Sequence, residues 1–315
     1  MTPIFQITAN AMWFVVANAL TLLRLSWLPM TALIGATYGL AYAVAQVAPP
    51  AAGDLDPHLL AAFTEAALSA IVLSIIAVHV HRIVLFDDRR PGFYFAFPFG
   101  RTEALYFVMG LLSILAFSVV VLTPTVAYHL ATDTPLESLM PIWPDRESDA
   151  ALPSDPLMVA VGIATRLAIL IALYWVVLRL SLWPPAVVAT NRLALGHALE
   201  LSKGRALAML GVLWAAGISY VVIGVGLIAA VNMLGVQAGY DLVGAYNAMS
   251  LDEKIIAAAA GRPISPFIVA FEFVYLLTAT AYGVAILSFA YKHFTAETQS
   301  DDASLHFKPM TVDEP

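Results

Sequence analysis

The chain has 315 residues, 61% of them hydrophobic and only 12% charged, with a mean hydropathy of +0.83 and a formal net charge of −7. A soluble domain is about half apolar and a quarter charged, so this chain has too little polar surface to cover a water-soluble fold. The absence of cysteine excludes disulfides, thiolate nucleophiles, Cys-ligated zinc and iron–sulfur clusters, and the acidic balance speaks against nucleic acid as a partner.

Residues 1–23 hold no Lys or Arg, so they lack the basic start of a cleavable signal peptide, and none is expected. The stretch 4–23 is helical in pattern and carries Gln6, Asn10, Thr21 and Arg24 close to one face. It reads as a helix lying in the membrane interface, apolar side down. A seventh span is the other reading of this stretch, disfavoured because almost no loop separates it from the next apolar run.

Six apolar stretches follow, roughly 28–48, 60–86, 104–130, 157–183, 206–234 and 265–291. Each is long enough to cross about 30 Å of hydrocarbon as a helix. Spanning segments must satisfy every backbone group internally, so the predicted fold class is all-α: a polytopic membrane bundle of about six transmembrane helices. In the first span Gly35 and Gly39 form a GxxxG, and Gly217, Gly224 and Gly226 thin one side of the fifth; such positions suit close helix packing in lipid.

Between the second and third spans, 87–103 combines Arg89, Arg90 and Arg101 with Phe93, Tyr94, Phe95, Phe97 and Phe99, a composition suited to the headgroup belt. The loop 132–156 is acidic and proline-bearing, and reads as an external loop. After the fourth span, Pro184–Pro185 suits a first helical turn. Residues 185–203 then run through Asn191, Arg192, His197, Glu200 and Lys203 among Leu and Ala, a second predicted interfacial helix. Ser250 to Glu253 fits a capping box opening a short external helix that Gly261 and Pro263 end. Beyond Phe294 the polar, acidic composition predicts a disordered tail, 294–315.

Basic residues fix the predicted orientation. Eleven of them (Arg24, Arg82, Arg89, Arg90, Arg101, Arg179, Arg192, Lys203, Arg205, Lys292 and Lys308) fall in one alternate set of segments. Only Arg146, Lys254 and Arg262 fall in the other. This asymmetry places both termini in the cytoplasm. A shift of about 181 residues lays Asn10 on Asn191, Ala17 on Ala198, Leu20 on Leu201 and Arg24 on Arg205. It suggests one transmembrane domain, 1–293, built from three units, about 1–86, 87–183 and 184–293, in one orientation.

Three ionisable residues fall within spans toward their outer side: Glu65, Arg166 and Glu272. Glu65 lies about 25 Å along its helix from Arg82, and Glu272 about 30 Å from Lys292. Charge in hydrocarbon needs a partner or a watery cavity. The structural reading is an Arg166 pair with Glu272 or Glu65 that locks the bundle, and the functional one is a transport site. Arg89, Arg90, Arg101, Arg192 and Arg205 are the predicted inner-leaflet headgroup contacts, at about 1 kcal/mol each near an anionic surface. His79 and His81, two apart, point to nearly opposite faces and read as interfacial histidines, not a metal pair. The chain has no HExxH, GxSxG, P-loop or GxGxxG, and no catalytic residue, metal or cofactor is expected.

The run WPPAVVATNRLALGHALELSKGRALAMLG, Trp183 to Gly211, resembles a recurring segment of bacterial six-helix membrane proteins: a proline after an Arg-containing span, an amphipathic helix, then a basic residue entering the next span. Ile4–Pro29 looks like the same element. The group is similar to the membrane domain of some glycerophosphodiester phosphodiesterases and uncharacterised proteins related to it. That resemblance implies a bacterial inner membrane location, and no phosphodiesterase activity, because no catalytic domain accompanies it. The expected role is a non-catalytic, membrane-organising or accessory one, possible in lipid handling, with membrane lipids and another membrane protein as candidate partners. The alternative is a transporter or channel using Glu65, Arg166 and Glu272.

Overall fold

The computed structural model describes residues 3–47, 57–88, 99–132, 156–233, 250–262 and 266–306, and every regular element among them is an α-helix. In chain order these are α1 (Pro3–Ala17), α2 (Ala19–Ala45), α3 (Pro57–Phe86), α4 (Arg101–Thr132), α5 (Pro156–Leu180), α6 (Trp183–Thr190), α7 (Leu195–Leu201), α8 (Ala206–Met233), α9 (Leu251–Ala259) and α10 (Pro266–His306). Prolines stand in the first turns of α1, α3, α5, α6 and α10, where a missing N–H leaves no intrahelical bond unmade.

Five stretches are long and apolar enough to cross a bilayer: Ala19–Ala45, Leu60–Phe86, Arg101–Val120, Leu167–Thr190 and Val269–Gln299. A sixth is reached if α7 and the first part of α8, which meet at 93°, count as one broken span. The chain thus has the helical make-up of a multi-pass membrane protein. Gly204, at φ +75°, makes the sharp turn between α7 and α8, a conformation that costs a residue with a Cβ about 1–2 kcal/mol.

The bundle is centred on α3 and α10, which pack together and on α2. α4 lies on α3, and α5 on α4 and α8. α1 lies against α10 and α8. Among the described residues one large core runs through α1, α3, α6, α8 and α10, and a small second core at the other end joins Ala41 and Val44 of α2, Ala61 of α3, and Leu251 and Ile255 of α9.

Several elements differ from the sequence reading. The segment 185–203 is two short helices, because Asn191 takes a left-handed conformation at φ 52° and closes α6. α6 is sunk among α3, α4 and α10, with Leu182, Ala186 and Val187 fully buried. The 181-residue offset therefore pairs unlike positions, for Asn10 sits inside α1 while Asn191 ends a helix. Among the described residues, nothing lies within 4 Å of where a Cβ on Gly35 or Gly39 of α2, or on Gly217 of α8, would stand. The close approach is at Gly211 instead, whose Cβ would meet Ile4 of α1. α10 continues past Phe294 to His306, where a disordered tail was expected. Extending a formed helix costs little, and Glu297 on this extension is held by Arg205 and His293.

Residues 133–155 of the expected external loop, with Arg146, lie outside the described residues. So do Arg89, Arg90 and the aromatics from Phe93 to Phe97, and the end of the tail, 307–315.

Candidate functional site

Polar side chains gather at the two ends of the bundle. At one end meet the close of α3, the opening of α4, the close of α6, the opening of α8 and the later part of α10. Arg82 on α3 donates to Thr102 Oγ1 on α4 at 3.0 Å and lies 3.5 Å from Glu103 Oε1. Thr102 donates in turn to Asn191 Oδ1 at 3.0 Å, so the residue that ends α6 is tied to α4. Glu103 is buried and also accepts from the Gly100 N–H at 3.0 Å, a contact that caps the start of α4. Lys292 of α10 donates to the Val84 carbonyl near the end of α3 at 2.9 Å. Arg205 pairs with Glu297 at 3.5 Å, donates to Leu201 O and Thr298, and stacks 5.2 Å from the centre of the Phe294 ring. The segments richest in arginine and lysine thus share one end, and much of their charge is spent within the molecule.

Of the residues read as headgroup contacts, Arg101 and Arg192 are exposed at this end. Arg205 is only part-exposed and is engaged as described. Arg89 and Arg90 are outside the described residues.

His81 is fully buried among α3, α4 and α10. Its Nδ1 lies 2.6 Å from Ser288 Oγ, and Nε2 lies 3.4 Å from the Tyr106 hydroxyl. Ser288 donates to the Val284 carbonyl at 2.9 Å, so its oxygen accepts from His81 Nδ1–H, and Nε2 is left to accept from Tyr106. Ser288 has no exposed surface. The chain of bonds joins three helices, and the hydroxyl offers no accessible nucleophile. His79 turns back to the Ile75 carbonyl and takes no part. Among the described residues, no group of three or more His, Asp or Glu is placed to hold a metal.

The opposite end carries the site that the sequence half revealed. Glu272 of α10 is 5% exposed, and its Oε1 accepts from Lys254 Nζ of α9 at 2.7 Å. Lys254 is 3% exposed and sits 4.8 Å from the centre of the Tyr38 ring of α2, a cation–π contact. Glu65 of α3, half-buried, lies within electrostatic reach of Lys254, Glu272 and Asp252. The cation paired with Glu272 is thus Lys254, and Glu65 lies within electrostatic reach of both. Arg166 is carried on α5, which packs on α4, α7 and α8; its side chain lies outside the described part of the structure.

The sequence reading counts Lys254 only toward orientation, on a short capped helix, and gives it no partner. The signal that could have found it is Leu251, Ile255 and Lys254 sharing one face of a capped helix. Two cavities flank these ends. A groove of about 500 Å³ between α2 and α10 is lined by Ile34, Gly35, Tyr38, Gly39, Val269 and Phe273, among others, and is almost wholly apolar. One of about 400 Å³ at the cationic end lies among Phe14, Phe86, Asp87, Phe289 and Lys292.

No family model, no curated protein and no solved structure matches the chain.

Proposed function

We propose that this is a non-catalytic integral membrane protein of a bacterial inner membrane, with six spans and both termini cytoplasmic, that organises lipid at the inner leaflet. Its resemblance to the membrane domain of glycerophosphodiester phosphodiesterases is part of this proposal and carries no phosphodiesterase activity with it. Membrane lipids are the proposed partners, with another membrane protein as a second candidate, and no cofactor is invoked.

The observation that carries the reading is the placement of α1. Ile4 meets Gly211, six residues past Arg205 on α8, and Phe14 meets Phe289, three residues before Lys292 on α10. At 1.5 Å per residue both ends of α1 lie about 5–9 Å from the cationic end. A helix about 22 Å long whose two ends lie at similar distances from the cationic end supports a course across the bundle, in the plane of the interface.

Its three sides suit that position. Ile7, Ala11 and Phe14 face the core. Phe5, Trp13, Val16 and, just beyond α1, Leu20 form an exposed apolar stripe on the opposite side. Gln6 and Asn10 form an exposed polar flank. An apolar face in the acyl boundary, a Trp at headgroup level and exposed Arg101 and Arg192 at the same end are the parts of a surface that holds anionic lipid.

Native mass spectrometry of protein released from its own membrane tests the reading. The wild type is expected to retain anionic phospholipid. The pair Trp13→Ser with Phe5→Ser is expected to lose most of it while remaining folded. Unchanged lipid content in that variant would sink the proposal.

A transport role is the second reading. It is favoured by two carboxylates and one ammonium meeting between three helices at the other end. Solute flux into proteoliposomes that vanishes in Glu65→Gln would establish it.

A further inference from the structure

The cavity of about 400 Å³ at the cationic end lies where α1 meets the close of α3 and the later part of α10. Its volume falls within the range of small-molecule sites, about 300–1,000 Å³. Part of its wall is apolar: Ile83 is buried, and Phe14 meets Phe289 edge to face with ring centres 6.3 Å apart. Phe86, Asp87 and Lys292, also on the wall, are exposed.

The wall carries charge of both signs. Lys292 Nζ donates to the Val84 carbonyl at 2.9 Å, its one hydrogen bond among the described residues. An ammonium has three donors, so two remain for an anion. The negative charge has two sources. Asp87 closes α3 in a left-handed conformation at φ 53°, so that its N–H reaches the Ile83 carbonyl and the next N–H the Arg82 carbonyl. With Lys292 on the Val84 carbonyl, the carbonyls of Leu85 and Phe86 end the helix, and both residues line the cavity. A helix C-terminus carries roughly half an elementary negative charge, and the Asp87 carboxylate adds to it. A lone anion is repelled by Asp87 and a lone cation by Lys292. A zwitterion with an apolar tail suits all three parts of the wall.

We infer that this cavity seats the headgroup of an ethanolamine phospholipid, with its phosphate on Lys292, its primary ammonium toward Asp87 and the end of α3, and its glycerol end against the phenylalanines. A primary ammonium has three N–H donors for carboxylate and carbonyl, and the quaternary ammonium of choline has none. The inference rests on the reading of this end as a lipid-facing surface, but it uses the core side of α1 and not the outer stripe.

Native mass spectrometry of the full chain tests it, after reconstitution in vesicles with equal amounts of phosphatidylethanolamine, phosphatidylcholine and phosphatidylglycerol of the same acyl chains, and re-extraction. The wild type is expected to retain phosphatidylethanolamine in preference to phosphatidylcholine. Asp87→Asn keeps a residue that accepts the left-handed backbone, and is expected to abolish the preference. Lys292→Gln keeps an N–H for the Val84 carbonyl, and is expected to retain roughly tenfold less of the ethanolamine lipid. The pair Trp13→Ser with Phe5→Ser is expected to keep that lipid while losing the anionic one, so the two proposals fail separately. Loss of the ethanolamine lipid in that pair would place it on the outer stripe and overturn the inference. So would a wild type without the preference, or a preference unchanged in both Asp87→Asn and Lys292→Gln. A melting temperature raised as much by dissolved phosphoethanolamine as by the lipid would also overturn it, since the occupant would then be a soluble phosphate ester.

Discussion

At the residue scale the decisive contact is Lys254 with Glu272. A buried ion pair adds little net stability over a well-packed apolar pair, but removing one partner strands the other charge, at a cost of about 3–5 kcal/mol. Lys254→Met is therefore expected to destabilise the protein by about that amount. The double change Lys254→Met with Glu272→Met is expected to recover most of the loss. Equilibrium unfolding of the single and double variants in detergent measures both, and a double variant as unstable as the single one would show that the pair is not the cause.

The sequence made the carboxylates visible and hid the lysine, for a physical reason. Glu65 and Glu272 interrupt long apolar runs, where any charge stands out. Lys254 lies in a run with Asp252 and Glu253 that looks solvated, and only the fold turns its helix inward. Arg82 and Arg205 were legible as cationic, but their carboxylates were not, because Glu103 and Glu297 lie on other helices and only the fold brings them into reach.

At the scale of the element, composition marks the long helices and a single dihedral marks their breaks. Each apolar run overlaps a long helix, since nothing but hydrocarbon demands such length, though some bounds differ by about ten residues, as at the start of α2. The short helix after Ser250 was also legible: α9 ends with Gly261 at φ +63°, whose N–H meets the Ala258 carbonyl while Arg262 N–H meets Ala257, a Schellman close. The break at Asn191 was not legible, because asparagine is unremarkable in an amphipathic pattern and its left-handed turn is fixed by Thr102 on a distant helix. The glycines of α2 misled for the converse reason: a GxxxG permits close packing without requiring it, and here it opens a groove.

The Asn191 turn makes its own prediction. Asn191→Val forces a β-branched residue into the left-handed region and removes the acceptor of Thr102, and is expected to cost about 2 kcal/mol or more. Asn191→Gly keeps the backbone free and removes only the acceptor, so its cost is expected to be about 1 kcal/mol. Melting temperatures of the two variants check the order, and a valine variant as stable as the glycine one would contradict it.

On the scale of the whole molecule, the two polar ends define an axis. The cationic end is pinned by Arg82, Lys292 and Arg205, and the other is closed by α9 through Lys254. Set against the bias of basic residues, the proposed orientation puts the cationic end in the cytoplasm. Since the chain has no cysteine, single cysteines report cleanly. Asp54→Cys, Asp149→Cys and Asp252→Cys are expected to react with an impermeant thiol reagent in intact cells, and Arg90→Cys and Lys203→Cys only after lysis. The opposite pattern would invert the molecule.

The lipid role rests on α1 belonging to that cytoplasmic face as an in-plane helix and not as a further span. Its exposed stripe offers the most direct measurement: nitroxide labels placed singly at Phe5, Ala9, Trp13 and Val16 in a bilayer, with depth read from collision with oxygen and with a water-soluble relaxant. The account predicts four depths within a few ångströms of one another, all near the inner headgroup boundary. A depth that changes steadily by about 1.5 Å per residue from Phe5 to Val16 would make α1 a membrane-crossing helix and would contradict it.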